Sequence, residues 1–242
     1  MSAAARHPLR HRLRIAAVSL LLLVAAALAA AQDLVDKGTF MIYQQGHRIG
    51  QESFDISLVN GAGKITSNTR YRINRDNGPV DITLESALVL DPHLVPHSYE
   101  LTSEVGHTRQ GLKVEFKPRL AVCDFDYGSE KKTQAAIVPP GATVIDENVF
   151  SHWAMLLTRY DRKKKGPQSF TVFVPQMGKE GVGQVTIDLV GREKVDLATR
   201  SVKANHFSIR SPNLVLDAWQ DSMGRVVKIT SPKNQAEVIR AN

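Results

Sequence analysis

The sequence predicts a mainly β protein, in which one large curved antiparallel sheet, a half-barrel or open barrel, is covered by one amphipathic α-helix. Through most of the chain apolar residues alternate with polar ones, as in strands with one buried face. Turn signals rich in Gly, Pro and Asn recur about every ten residues. Only the segment Val144–Pro167 repeats its apolar residues at helical spacing. A lone helix with a broad apolar face needs a sheet to lie against, so we expect it to cover or plug the curved sheet.

The first 31 residues have the layout of a secretory signal peptide. Four arginines and no acidic residue precede an uninterrupted run of small and apolar residues, Ile15–Ala31. The alternative is an uncleaved anchor, because about 17 apolar residues is the lower limit for a membrane-spanning helix. The alanines that close the run provide small-x-small cleavage sites before Ala30 or Gln32 and favour cleavage. We therefore predict a periplasmic protein with one domain over residues 32–242.

Charge and cysteine content weaken one functional interpretation and exclude an intrachain disulfide. The net charge of +7 includes the four arginines of the predicted signal, so the remaining chain carries only +3. This small excess weakens a nucleic-acid-binding interpretation, which needs a basic face on the folded domain, and we expect membrane contact to be transient at most. The single cysteine, Cys123, excludes an intrachain disulfide. Its place in an alternating strand predicts a buried, inert thiol.

The predicted strands are long. Gly50–Val59 and Val80–Leu90 alternate over ten residues or more, against a usual length of about five or six. Strands of this length belong to large, strongly curved sheets. The polar segment Glu130–Val138 is predicted to be an edge strand, where Lys131 and Lys132 would discourage pairing with another sheet.

The helix is predicted at about 147–162. At 3.6 residues per turn its apolar side chains fall within an arc of roughly 160°, which gives one broad aromatic and aliphatic face. Asp146 is expected to cap its N-terminus, and Glu147 to place negative charge in the first turn. The run Arg162–Lys165 supplies positive charge at the other end, and Gly166–Pro167 stops the helix.

Sequence patterns of the common catalytic centres are absent: there is no G-x-S-x-G, P-loop, H-E-x-x-H or C-x-x-C. We therefore expect a protein that is not an enzyme and has no metal site and no cofactor. His152 lies just outside the apolar arc of the helix, and is either an acid/base or ligand group at a cavity mouth or a half-exposed surface histidine; the pattern favours the second. A hydrolase that uses His152, His206 and Asp217 is the weakest hypothesis.

Five segments carry a family resemblance. They are F-x-I-Y-x-x-G-x-x-I-G (Phe40–Gly50), D-x-x-L-V-P-x-x-Y-x-L (Asp91–Leu101), V-I-D-E-N-V (Val144–Val149), F-x-V-F-V-P (Phe170–Pro175) and W-x-D-x-x-G-R-V-V-K (Trp219–Lys228). In this order they resemble the secreted bacterial family of uncharacterised domains numbered 3108. That family is similar to the half-barrel lipoprotein-carrier proteins, in which a curved antiparallel sheet and a helix enclose an apolar cavity. The resemblance implies such a cavity and carries no catalytic residues.

The first functional hypothesis is a binding protein that holds a hydrophobic small molecule or lipid, such as an acyl chain or lipoprotein-like cargo, between sheet and helix. The alternative is a structural or assembly protein of the cell envelope that acts through a protein partner. Adjacent strands share a face, so the ligand-binding side chains are expected to come from the helix and from alternate positions of neighbouring strands. They are Phe150, Trp153, Leu157, Tyr160, Ile82, Leu84, Leu88, Leu90, Leu112, Val114 and Phe116.

Removal of the signal is directly testable. N-terminal sequencing of the protein from a periplasmic fraction should give a chain that begins at Ala30 or Gln32, because the small residues there fit a signal-peptidase site. An intact Met1 peptide recovered from a membrane fraction would instead identify an uncleaved anchor.

Overall fold

A computed structural model describes residues 34–59, 62–75, 78–91, 93–146, 148–197 and 199–241. The predicted signal peptide and Glu147 lie outside the described residues. Within the described ranges the chain forms fifteen strands in one sheet and one α-helix, which confirms the predicted fold class. No helix in this part of the protein has the length and apolar character to cross a bilayer.

The strands follow one another along the chain with short connections. Their bounds are β1 Leu34–Gln44, β2 His47–Val59, β3 Ala62–Arg75, β4 Gly78–Leu90, β5 Pro96–Val105, β6 Thr108–Lys117, β7 Leu120–Asp126, β8 Lys131–Ile137, β9 Thr143–Val144, β10 Gln168–Phe173, β11 Val182–Asp196, β12 Ser201–Arg210, β13 Val215–Gln220, β14 Val226–Ser231 and β15 Ala236–Ala241. The helix, α1, spans Phe150–Thr158, and 3₁₀-helices span Pro175–Glu180 and Pro232–Asn234.

The sheet consists of two antiparallel meanders that meet at β1 and β15. Its order is β8-β7-β6-β5-β4-β3-β2-β1-β15-β14-β13-β12-β11-β10-β9. After β8 the chain crosses through β9 and α1 to the opposite edge, where β10 pairs with β9. This short pair is parallel, an exception to the all-antiparallel prediction, because the chain passes through α1 between the two strands and returns in the same direction.

The two edges of the sheet curl toward each other and give it the shape of an open barrel. Strand β8, predicted as an edge strand and confirmed as one, packs against the 3₁₀-helix Pro175–Glu180. The Lys179 N–H donates to the side-chain oxygen of Gln134 over 3.5 Å. Gly178 has φ of +55°, a backbone conformation that glycine adopts more readily than other residues. Glycine at 178 therefore permits the turn that brings the segment after β10 against β8.

Buried side chains from both meanders form one apolar interior. Strand β4 shows the pattern clearly, since Ile82, Leu84, Ser86, Leu88 and Leu90 are all buried while the alternate residues are more exposed. Cys123 is also fully buried, and burial raises the pKa of its thiol to about 11, as expected for an inert thiol.

A buried ion pair joins the two meanders. Arg240 of β15 donates to both carboxylate oxygens of Asp36 in β1, over 2.6 and 3.0 Å, and its guanidinium lies 5.3 Å from the centre of the Phe54 ring. Arg240 also donates to the Lys37 carbonyl oxygen over 2.9 Å. Both charged side chains are buried, so the pair depends on this bidentate geometry to offset its desolvation.

The helix is shorter than the predicted span of 147–162, and it is buried on more than the one predicted face. It begins at Phe150 and ends at Thr158. Every residue from Ser151 to Leu157 is buried, so all sides of α1 face the interior of the barrel. Aspartates bound it at both ends: Asp146 accepts the Asn148 N–H and Asp161 accepts the Lys163 N–H. Such local bonds replace helical ones, which is why the helix is short.

Three details of the predicted helix are wrong. Asp146 does not cap it: the residue at the N-cap position is Val149, which has no side-chain hydrogen bond to the helix. The run Arg162–Lys165 follows the helix in a turn, where Lys165 and Gly166 have positive φ. His152, predicted to be half-exposed, is fully buried because the interior surrounds α1 on every side.

Burial of α1 predicts a large loss of stability when its interior side chains are truncated. We expect Leu157→Ala to lower the free energy of unfolding by about 2 to 5 kcal/mol, because it leaves a cavity in a packed core. The exposed neighbour provides the control, and Thr158→Ala should cost about 1 kcal/mol or less. Urea midpoints of the two variants give the measurement. Wild-type stability of Leu157→Ala would show that the helix does not pack as described.

Candidate functional site

A cavity of about 870 Å³ lies between the start of α1 and one end of the barrel. Its wall includes the end of β1, the start of β2 and the end of β3 on one side. The β12–β13 turn, the β14–β15 connection and the 3₁₀-helix between β10 and β11 also contribute, together with residues of α1 and of the strands β10, β11, β13, β14 and β15. Its size falls within the range of about 300 to 1,000 Å³ that is usual for small-molecule sites.

The buried part of the wall is aliphatic and aromatic. Trp153 and Phe150 reach it from α1, while Ile42, Ile229 and Val238 reach it from β1, β14 and β15. Trp153 and the three aliphatic residues are buried, and Phe150 is half-buried. The base of the cavity therefore offers apolar contact and few hydrogen-bonding groups.

Two of the eleven predicted ligand-binding residues, Phe150 and Trp153, line this cavity. The other nine do not, although they belong to or pack against the same hydrophobic core; they are Leu157, Tyr160, Ile82, Leu84, Leu88, Leu90, Leu112, Val114 and Phe116. These residues thus belong to one apolar interior, and ligand contact by any of them stays a prediction. Tyr160 lies beyond the helix end, where its hydroxyl donates to the Gly166 carbonyl oxygen over 2.8 Å.

Beside the cavity, Glu52 holds the start of α1. It lies in β2 with its side chain turned inward and fully buried, and its carboxylate accepts the backbone N–H groups of Phe150 over 2.7 Å and Ser151 over 3.2 Å. Burial raises the pKa of Glu52 to about 7, although its bonds with Ser151 and Phe150 act in the opposite direction. Negative charge at a helix N-terminus is stabilised by the helix dipole.

Asp146 fixes the segment that leads into the helix. Its fully buried carboxylate accepts the Tyr99 hydroxyl over 2.6 Å, the Gln176 side-chain amide over 2.7 Å and the Asn148 N–H over 3.1 Å. Burial, together with the nearby charge of Asp146, raises the pKa of Tyr99 well above its usual value, so Tyr99 remains a hydroxyl donor. The entry to α1 is thereby tied to β5 and to the 3₁₀-helix after β10.

His152 completes this polar cluster. Its Nδ1 accepts the Asp146 N–H over 3.2 Å, so the neutral ring carries its proton on Nε2. Burial lowers the pKa of His152 to about 4, and the ring lies edge-on to Tyr99 with 5.7 Å between ring centres. Nε2 has no hydrogen-bond partner among the described residues, and neither has the Ser151 hydroxyl, which lies near the Glu52 carboxylate without a bond of normal geometry.

The side chains of Glu52, Asp146 and His152 do not line the cavity. Their contacts position the start of α1, and with it Phe150 and Trp153. Within the part of the chain that the structure describes, no three His, Cys, Asp or Glu side chains are arranged to hold a metal ion.

The residues of the hydrolase hypothesis are divided between two places. His206 and Asp217 lie together on the outer face of the sheet, with 3.2 Å between Nε2 and Oδ1, and the His206 ring stacks on Trp219. His152 contacts a different set of residues in the interior. The structure thus brings His206 and Asp217 together but places His152 elsewhere, so the three residues of the hydrolase hypothesis do not form one site.

Comparison with known proteins supports the fold. No family model matches the chain, and no curated protein matches it. Among solved structures, the chain is similar to the β-barrel-like protein of the domain of unknown function DUF1849 from Brucella abortus, with a TM-score of 0.56, 8% identity, and coverage of 86% of this chain and 94% of that one. At this identity the likeness shows the fold alone. The similar protein belongs to DUF1849 and not to the family numbered 3108, so membership of this chain in the 3108 family stays a prediction.

The raised pKa of Glu52 predicts a specific pH dependence of stability. With an unfolded pKa of 4.5 and a folded pKa of about 7, the folded state binds the proton more tightly. Glu52 therefore contributes stability that is complete below pH 4.5 and is lost as the pH rises through about 7. His152 acts in the opposite sense, since its pKa falls from 6.5 to about 4 on folding and stability is lost as the pH falls through that range.

The variant Glu52→Gln tests this prediction. As the pH rises from about 5 to about 8, the difference in free energy of unfolding between the variant and the wild type should change by about 2 to 3 kcal/mol in favour of the variant, because glutamine does not titrate. Urea unfolding of both proteins at the two pH values gives the measurement. Glu115→Gln, at an exposed position of β6, is the matched control and should follow the wild type. A Glu52→Gln profile parallel to the wild-type profile would refute the assignment.

Proposed function

We propose that this protein is a non-enzymatic periplasmic binding protein that holds a hydrophobic ligand, an acyl chain, lipid or lipoprotein-like cargo, inside its barrel. The observation that supports the proposal most is the cavity of about 870 Å³ with an apolar base beside α1. The layout of residues 1–31 supports export.

The chemistry of the wall favours apolar cargo. Sugar hydroxyls or phosphates placed against Trp153, Ile229 and Val238 would be buried without partners, which costs about 1 to 3 kcal/mol or more for each group. An alkyl chain has no hydrogen-bonding groups to leave unpaired there and gains roughly 25 cal/mol for each Å² of apolar surface removed from water. The aromatic rings of Phe150 and Trp153 add contact area at the helix end of the cavity.

Binding can be tested with two adjacent substitutions. Leu214 lines the cavity, whereas the next residue, Val215, does not and is 37% exposed. We expect wild type to bind the uncharged fluorescent probe N-phenyl-1-naphthylamine saturably. Leu214→Trp should weaken binding about tenfold or more by filling the site, and Val215→Trp should leave it unchanged, because it adds the same bulk outside.

Trp153 offers a second readout, since it lies in the cavity wall. In a Trp219→Phe background it is the only tryptophan, so ligand should change its fluorescence. Circular dichroism checks that each variant folds. No saturable binding to wild type, or equal weakening by both tryptophan substitutions, would reject the proposal and leave the envelope-partner hypothesis.

A further inference from the structure

The cavity wall changes in chemistry from base to mouth. Among the described wall residues that are buried, only Ser231 has a polar side chain. Most of the exposed wall residues with side chains are polar, and Met177 and Pro212 are the exceptions; the polar ones are Gln44, Glu180, Gln184, Asn213 and Asn234. A molecule in this cavity would therefore have its apolar part at the base and any polar part at the mouth.

The mouth carries amides and one carboxylate. Glu180 is the only charged side chain among the described wall residues, and the wall contains no lysine or arginine in that part of the chain. Its carboxylate lies 3.7 Å from the Lys179 ammonium, but both side chains are more than 70% exposed, so solvent screens the pair. Amide groups donate and accept hydrogen bonds, which suits a hydroxyl, amide or ammonium group. A ligand carboxylate or phosphate would find no cationic partner in the wall.

Resting on the proposed function, we infer that the ligand is an amphiphile that enters tail first and keeps an uncharged or cationic head group at the mouth, where Glu180 disfavours anionic head groups. The tail then lies along the buried wall toward Trp153, and the head group contacts the exposed amides.

Head-group preference can be measured with ligands of matched chain length. Dodecanol, dodecyltrimethylammonium and dodecanoate compete with N-phenyl-1-naphthylamine at about pH 8, below their micellar concentrations. We expect all three to displace the probe, with dodecanoate weakest by about two- to fivefold relative to the ammonium ligand, as for a single exposed charge pair.

Reversing the charge at the mouth provides the decisive comparison. Glu180→Lys should change the ratio of the dodecanoate and ammonium dissociation constants by about tenfold in favour of dodecanoate, because both ligands respond in opposite directions. Dodecanol should bind as before. Glu130→Lys makes the same charge change at an exposed position outside the wall and should leave the ratio unaltered.

The outcomes separate the two proposals. If none of the three ligands displaces the probe from wild type, the proposed function fails. If they displace it but dodecanoate binds most tightly, or Glu180→Lys leaves the ratio unchanged, the head-group inference is overturned while hydrophobic binding stands.

A free lipid and the acyl group of a lipid-modified peptide share this chemistry. Displacement by both a monoglyceride and an uncharged N-dodecanoyl peptide amide would support the inference for acyl amides as well as lipids. Displacement by the monoglyceride alone would support it for free lipids.

Discussion

The start of α1 is held by a carboxylate from the sheet. The first N–H groups of any helix have no partner within the helix, and inside a protein they cannot turn to bulk water. The N-cap residue Val149 supplies no side-chain bond, so Glu52 of β2 accepts the N–H groups of Phe150 and Ser151 instead. The same two bonds and the helix dipole favour the ionised carboxylate, but burial outweighs them and keeps the pKa of Glu52 raised to about 7. The carboxylate therefore satisfies the first N–H groups of the helix, while the helix offsets only part of the cost of burying the charge.

The polar groups around this contact restrict α1 to one position. Asp146 ties the entry of the helix to Tyr99 and Gln176, and His152 returns to the Asp146 backbone. A buried network of this kind is stabilising only while its members keep their partners, so a shift of α1 by one turn would leave several of them unsatisfied. Apolar packing alone would tolerate such a shift more easily. The cluster thus sets how far Phe150 and Trp153 project into the cavity.

Sequence patterns predicted which side chains of a strand point inward, but not where each residue lies along the axis of the barrel. Period-two alternation identified the inward set of β4 correctly, because parity depends only on neighbouring residues. The same alternation places Glu52 on the inward face with Phe54, Ile56 and Leu58. An acidic residue on an apolar face of a strand is therefore a sequence signal that could have identified Glu52. Height along the barrel depends on register and on bulges such as that between Ile42 and Tyr43. Alternation reveals neither the register nor the bulges, so the sequence did not show which part of each strand faces the cavity, and nine of the eleven predicted residues lie away from it.

The lengths of helix and strands explain why a cavity forms at the end where the helix begins. A helix of nine residues is about 14 Å long, whereas β2, with 13 residues, extends about 43 Å. Even with a strand tilt of about 40° the wall formed by the long strands β2, β3 and β4 is roughly twice as tall as the helix. Strand side chains fill the interior that the helix does not occupy only where side chains from opposite walls reach one another. Toward the N-terminus α1 cannot lengthen to fill the space, because Asp146 holds the preceding residues in a turn and Glu52 occupies the first N–H groups. The contact that makes the helix stable therefore also leaves the space open.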